Sequence, residues 1–300
     1  MNTQEYFPPQ TNNYERLIPK VEAFHGPYTL SVSVVIPFYK ERAILARTLA
    51  SLVNQTYPAH LIEVIVSDDG SDEPVSEVLV EFRDRLNLHY IRQENLGHRV
   101  ATARNRGIER AQGEVIVSLD FDMICPPKFI AAHLNWFHIS DRVATAGLRK
   151  FVRADHITVD DVISNFERIT ELPRQQSNSS LAPTADYDHR IRAFANFQHL
   201  FIPAHYVYSC NFAYRRRQAL AVGCFDERYN YNYGYEDLDF AHSLWLAGIF
   251  LVAVDDALAY HQENEVMTLT QKREGSRINR LKFYNKFPEI RAFRRKKRRW

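Results

Sequence analysis

Two aspartates, Asp120 and Asp122, follow the apolar run EVIVSL (114–119) as part of the triplet DFD. On a strand, residues two apart project to the same side, so both carboxylates can face one ligand. That pair suits a hard divalent cation, Mg2+ or Mn2+, bridging protein oxygens to a substrate diphosphate. The plainer reading is a strand-end turn, where aspartates are common. A second acidic group, DDGSDE, ends the run IEVIVS (62–67). There Asp69 can accept a hydrogen bond from a nucleobase N–H, or the segment is simply a turn. A third group lies in YNYGYEDLDF (231–240), where Glu236, Asp237 and Asp239 sit among tyrosines ahead of an apolar stretch. Acids there suit the positive end of a helix dipole. A carboxylate held among aromatic rings also suits a general base. His261, after DDALAY, is a ligand candidate only in the company of the others. Neither G-x-G-x-x-G nor G-x-x-x-x-G-K-[ST] occurs, so a nucleotide here would be held through a metal rather than by a glycine-rich loop.

These groups need a frame. SVSVVIP (31–37), IEVIVS (62–67), LHYI (88–91) and EVIVSL (114–119) are short apolar runs that predict buried strands. Between them, helical patterns cover ERAILARTLASLVNQ, 75–86 and VATARNRGIERA. Strands alternating with helices predict an α/β fold with a mostly parallel sheet, and ligands collect at the carboxyl ends of such strands. The residues Pro37, Phe38 and Tyr39, with Asp69, Asp120 and Asp122, all fall there. Further on the pattern loosens: 153–190 reads as a flexible loop or lid, 206–214 alternates like a strand, and 236–247 reads as a helix. A strand over 249–254 and a closing helix, despite Gly275, complete the series. Asp239 reads as serving the start of the 236–247 helix.

The chain has 300 residues with 45% hydrophobic, enough for a sizeable core, which excludes wholesale disorder. Cys125, Cys210 and Cys224 are odd in number and lack C-x-x-C spacing, arguing for a reducing compartment and against zinc or a disulfide framework. The start has no signal-peptide pattern, and the longest apolar run, Leu244–Val254, spans 11 residues, far short of the roughly 20 a membrane span needs. A cytoplasmic protein, soluble or peripheral to a membrane, is expected, and the Asn178 sequon is discounted. The last ten residues hold seven Arg or Lys; without them 31 basic residues face 36 acidic ones. That basic tail suits an anionic membrane surface or a solvated end. No aromatic-interleaved basic surface supports nucleic-acid binding.

The ordered series along residues 31–262 resembles the inverting family 2 glycosyltransferases with the GT-A fold. Its carriers are VSVVIPFYKERAILARTLASLVNQ, LHYIRQENLGHRVATARNRGIERA and FDERYNYNYGYEDLDFAHSLWLAGIFLVAVDDALAYHQE. Within that family it is similar to the N-acetylgalactosaminyl-transferring half of bacterial chondroitin synthases. The resemblance implies a single GT-A domain over 31–265, with a nucleotide-binding half (31–125) and an acceptor-binding half (126–265). An N-terminal extension (1–30) would precede it, and a C-terminal helix and basic tail (266–300) would follow. It implies transfer of a sugar, an N-acetylhexosamine, from a UDP-sugar to a hydroxyl of a saccharide-containing acceptor, with Mn2+ or Mg2+.

Residue by residue, the resemblance places Pro37 and Tyr39 at the uridine and Asp69 on the uracil N–H. Arg104 would lie near the ribose or diphosphate, and Asp120 on the ribose or sugar. Asp122 and His261 would hold the metal, and Asn211 would shape the sugar pocket. Asp237 becomes the base and Glu236 orients sugar or acceptor. The chain departs from the family where Tyr233-Gly234-Tyr235-Glu236-Asp237 replaces Trp-Gly-Gly-Glu-Asp, and where Ser209-Cys210 replaces Gly-Gly ahead of the asparagine. Both changes bear on sugar and acceptor identity. The rival readings are a nucleotide-sugar or partner-binding module without turnover, a UDP-hexose transferase with a non-saccharide acceptor, and a sugar-nucleotide pyrophosphorylase. The last would carry a glycine-rich N-terminal loop that is missing here.

Overall fold

The four apolar runs form β1 (Val32–Phe38), β2 (Ile62–Asp68), β3 (Asn87–Arg92) and β4 (Val115–Leu119) in the computed structural model, which describes residues 11–73, 75–172, 188–262 and 269–297. Four more strands follow: β5 (Met123–Ile124), β6 (Val143–Val152), β7 (Asn211–Arg215) and β8 (Phe250–Gln262). All join one sheet in the order β3-β2-β1-β4-β7-β6-β8-β5. The first four strands pair in parallel, as do β6 and β8; β7 runs against β4 and β6, and β5 against β8. The sheet is therefore mostly parallel, with β5 and β7 reversed. β1, β2 and β4 are buried at every residue, which is why they read as unbroken apolar runs.

The longer helices are α1 (Arg42–Val53), α2 (Ser76–Phe82), α3 (Val100–Arg110), α4 (Phe129–Ile139), α5 (Glu236–Leu246), α6 (Leu269–Lys286) and α7 (Pro288–Lys297). α4 and β6 fill a stretch the sequence pattern left unassigned. α4 is apolar nearly all round, so it carries no helical stripe, and β6 is interrupted by the polar Arg149 and Lys150 before its last two residues. Within the expected lid, Thr158 and Asp161 form a reciprocal capping box that starts a short helix at Val159. Residues 173–187, with Asn178, lie outside the described residues. The strand expected over 206–214 begins only at Asn211.

Both flanking segments pack closer than expected. The N-terminal one docks from residue 12 onward: the Asn12 side chain donates to Leu251 O (2.8 Å) and accepts from Leu251 N (2.9 Å). Tyr14 stacks edge-on against Trp136 at 5.6 Å. At the other end, Phe283, Phe287 and Ile290 form a second small core with Tyr229, against which Tyr235 and Leu238 pack. The boundary expected near 265 is thus bridged by packing. The basic segment is helical as far as Lys297, and 298–300 lie outside the described residues. Among the described residues no helix is long and apolar enough to cross a membrane.

Candidate active site

The site gathers where β1, β2 and β4 end. Pro37 is buried opposite Ser67 in the β1–β2 register, and Tyr39 follows it. The Asp69 amide donates to Phe38 O (2.9 Å), fixing one loop against the other. The Asp69 carboxylate accepts from Gln93 Nε2 (2.5 Å) and from the Arg99 amide (2.7 Å). Each oxygen therefore holds one bond, and a carboxylate has about four acceptor positions, leaving room for a ligand N–H. Burial raises its pKa despite those bonds. Gly70 makes the crossing feasible: at φ +86° a Cβ there would lie 2.4 Å from the Asn95 amide nitrogen. Asn95 also donates to the Tyr39 hydroxyl at 3.3 Å. Gln93 and Asn95, which the sequence reading passed over, thus complete this wall.

The DFD triplet comes next. Asp122 is held by the β5–β8 ladder: Met123 pairs with His261, and the Gln262 amide donates to Asp122 O (2.8 Å). That register brings His261 Nε2 to 3.5 Å from Asp122 Oδ2. Burial, then the charges of Arg149 and Lys272, push the His261 pKa down to about 3, so the imidazole is neutral, the form that ligates metals. Its Nδ1 is buried without a hydrogen-bond partner among the described residues. One carboxylate and one neutral imidazole fit a divalent cation that takes its other ligands from phosphate and water. Among the described residues no group of three or more His, Cys, Asp or Glu could hold a metal by itself.

Asp120 turns the other way. Its Oδ1 accepts from Arg104 Nη2 (2.9 Å), and Arg104 Nη1 donates to Glu236 Oε1 (3.0 Å). Arg104, only 4% exposed, is a buried clasp between the DFD loop and the start of α5. It braces two carboxylates here, where the resemblance implied a contact with ribose or diphosphate. Asp237, next to Glu236, sits in the first turn of α5 with Oδ1 accepting from the Leu238 amide (2.8 Å). Burial foremost, then the Glu236 charge, pushes its pKa up to about 7, against the pull of Arg104. A general base works best with a pKa near the working pH.

Asp239 does not cap α5. It is buried, accepting from the Tyr229 hydroxyl (2.9 Å) and from Lys286 Nζ (2.6 Å) of α6. Asn279 of the same helix donates to Tyr229 O (2.9 Å) and Gly234 O (2.8 Å). Gly275 lets the two segments touch, since a Cβ there would lie 2.5 Å from the Tyr233 amide nitrogen. A glycine inside a helix costs about 1 kcal/mol relative to alanine, and that oddity was the available signal for this contact. Tyr235 takes the left-handed conformation at φ +78°, with its ring 5.6 Å from Phe283. This explains a glycine as the usual residue at that position in the resembled motif.

The resemblance implied that Asn211 shapes the sugar pocket. It is wholly buried, donating to Leu148 O (3.0 Å) and Ala257 O (2.7 Å), with Oδ1 2.8 Å from His133 Nε2. Its side chain locks β6, β7 and β8 together. Nearby, a cluster without a local sequence pattern joins Arg149, Asp188, Arg190, Tyr208 and Cys210. The Asp120 amide donates to Cys210 O (3.3 Å), so this cluster adjoins the DFD loop.

Comparison with known proteins agrees with this geometry. The chain is 34% identical over 239 residues to the chondroitin synthase of Escherichia coli, covering 77% of this chain and 34% of that protein. It is 32% identical over 243 residues to the hyaluronan synthase of Pasteurella multocida, covering 78% of this chain and 25% of that one. It thus spans about a third and a quarter of their lengths. Among solved structures, Staphylococcus aureus TarS 1–349 in complex with UDP-GlcNAc superposes with a TM-score of 0.56 at 20% identity, covering 85% of this chain and 67% of that one. The mannosyltransferase PcManGT of Pyrobaculum calidifontis, with GDP-Man and Mn2+, gives 0.53 at 16% identity, covering 84% and 64%. These neighbours share the GT-A fold that the resemblance implied. Residues 33–220, more than half of the chain, match the family described as Glycosyl transferase family 2, and the chain belongs to it.

Proposed function

We propose that this protein is an inverting, metal-dependent transferase that moves an N-acetylhexosamine from a UDP-sugar to a hydroxyl of a saccharide-containing acceptor. One observation carries the reading. Asp237, with its raised pKa, is tied through Glu236, Arg104 and Asp120 to the loop that bears Asp122, 3.5 Å from His261. The named activities of the chondroitin and hyaluronan synthases, and UDP-GlcNAc bound to a structural neighbour, support the donor class.

In the reaction, the acceptor hydroxyl oxygen bonds to the anomeric carbon while the bond from that carbon to the β-phosphate oxygen breaks. The electron pair leaves with UDP. Asp237 takes the hydroxyl proton, a role worth about 10²–10⁴-fold. Glu236, held by Arg104, orients the reacting sugar and raises the basicity of Asp237 through its charge. Asp69 and Tyr39 position the uracil. Asp122 and His261 would hold Mn2+ or Mg2+, which supplies positive charge against the departing diphosphate. The basic residues of α7 suit an anionic surface near a membrane-borne acceptor.

The test is UDP release across common UDP-sugars with Mn2+ and simple saccharide acceptors. Turnover is expected with a UDP-N-acetylhexosamine, and full activity in Asp237→Asn would sink the assignment of the base.

A further inference from the structure

We propose that Arg149 is a further catalytic residue, one that contacts the donor diphosphate and neutralises charge on it as it departs. This rests on the transferase reading above. Asp188 is buried and already held by Arg190, whose Nε lies 2.9 Å from both of its oxygens and whose Nη2 lies 2.5 Å from one. Arg190 is itself wholly buried and closes on Gly147 O (3.1 Å) and Tyr206 O (3.2 Å). Arg149 is the second cation on that one carboxylate, its Nε 3.9 Å from Asp188 Oδ2. The cluster therefore carries one positive charge more than it balances.

The surroundings of Arg149 are those of a binding group. Its guanidinium lies over the rings of Phe151 (4.9 Å) and Tyr208 (5.3 Å), which hold it flat. The nearest acceptor to its Nη1 is the Cys210 thiol at 3.6 Å, a weak partner, and its Nε makes no hydrogen bond among the described residues. The side chain is 21% exposed although its Nε is buried, so a ligand would have to reach it through the Nη atoms. A planar fork with weakly engaged donors matches a phosphate oxygen pair.

Its place in the sheet points to the diphosphate. Arg149 and Phe151 sit two apart on β6 and share a face, and β6 pairs with β8 so that Arg149 faces Ala259 and Phe151 faces His261. The small Ala259 leaves room for the guanidinium beside His261, and the Phe151 ring is 5.0 Å from that imidazole. On its other flank, Cys210 accepts from the Asp120 amide through its carbonyl. Arg149 is thus flanked by Asp120 on one side and the Asp122–His261 pair on the other. The need is equally specific. When the sugar–oxygen bond breaks, its electron pair stays on the β-phosphate oxygen, and the nearby Arg104 is already bound to Asp120 and Glu236.

The test compares UDP with UMP by calorimetry, in Mn2+ and in EDTA, for wild type and for Arg149→Gln, Arg149→Met and Arg149→Lys. The UDP-over-UMP affinity ratio is expected to fall about tenfold or more in the Gln and Met variants. Lysine should restore part of it. Turnover should fall with it while the acceptor KM holds. An unchanged ratio overturns the proposal, as does a loss confined to the acceptor KM, which would make Arg149 an acceptor-reading group. Arg149→Met keeps an apolar stem against Phe151 and Tyr208; if neither it nor the Gln variant folds, Arg149 is a structural cation and the proposal fails. If wild type binds no UDP at all, the transferase reading itself fails.

Discussion

The two halves of the site are built by different physics. On the proposed donor side, Asp69, Asp120 and Asp122 follow the ends of β2 and β4, with β1 paired between those strands. Backbone ladders hold them, and β5–β8 pairing alone sets Asp122 beside His261. On the proposed acceptor side, Asp237 follows a loop with left-handed residues at Tyr231, Gly234 and Tyr235. That loop and α5 lean on α6 through single side chains, Asn279 and Lys286 among them. A ladder tolerates little change, whereas a set of side-chain braces can be altered one at a time. Substrate range should therefore vary on the braced side, while nucleotide binding on the laddered side stays fixed.

Arg104 joins the two halves, and removing it is the most damaging change we expect. Arg104→Met leaves Asp120 and Glu236 without their cation, and breaking a buried pair this way costs about 3–5 kcal/mol. Chemical denaturation should register that loss, with activity and UDP affinity falling together. Retained stability would mean the two halves stand independently.

Asp237→Asn separates them. Transfer should drop on the order of 10²–10⁴-fold with UDP affinity unchanged. The raised pKa also has a stability consequence. A carboxyl whose folded pKa exceeds its unfolded value becomes a growing burden as pH rises from about 4 through the folded pKa. The variant should therefore gain thermal stability over wild type between pH 5 and pH 8, and wild-type kcat/KM should rise through the same window. A gap in Tm that does not grow with pH would remove burial as the cause of the shift.

Gly275→Ala tests the brace alone. The helix gains about 1 kcal/mol in propensity, but the new methyl meets backbone at Tyr233, and overpacking costs about 1–3 kcal/mol. The expected result is a raised acceptor KM with the donor KM unmoved. Equal shifts in both would show that α6 supports the whole site.

Legibility in the sequence followed the same division. A parallel strand buried on both faces must be apolar throughout, so β1, β2 and β4 announced themselves, and the acids after them fell where ligands gather. Asp237 was legible because acids at a helix start stand out. The braces were not. Asp239 meets Lys286 across 47 residues, Asn279 meets Tyr229 across 50, and no local pattern encodes such pairs. Arg149 sits on β6, whose mixed composition hid the strand itself. Asn211 was found by motif, but only the packing of three strands explains what its amide does.

The mildest expected effect concerns Tyr235. Its left-handed backbone costs a non-glycine residue about 1–2 kcal/mol, and its ring against Phe283 returns about 0.5–1.5 kcal/mol. Tyr235→Gly removes both terms, so stability should stay near that of wild type while the acceptor side opens. Tyr235→Ala removes the ring and keeps the strain, so it should be the less stable of the two by thermal denaturation. If alanine matches glycine, strain is not what the loop stores. If glycine leaves acceptor range unchanged in competition assays, the tyrosine at this position does not shape the acceptor side, and specificity lies with the other braces.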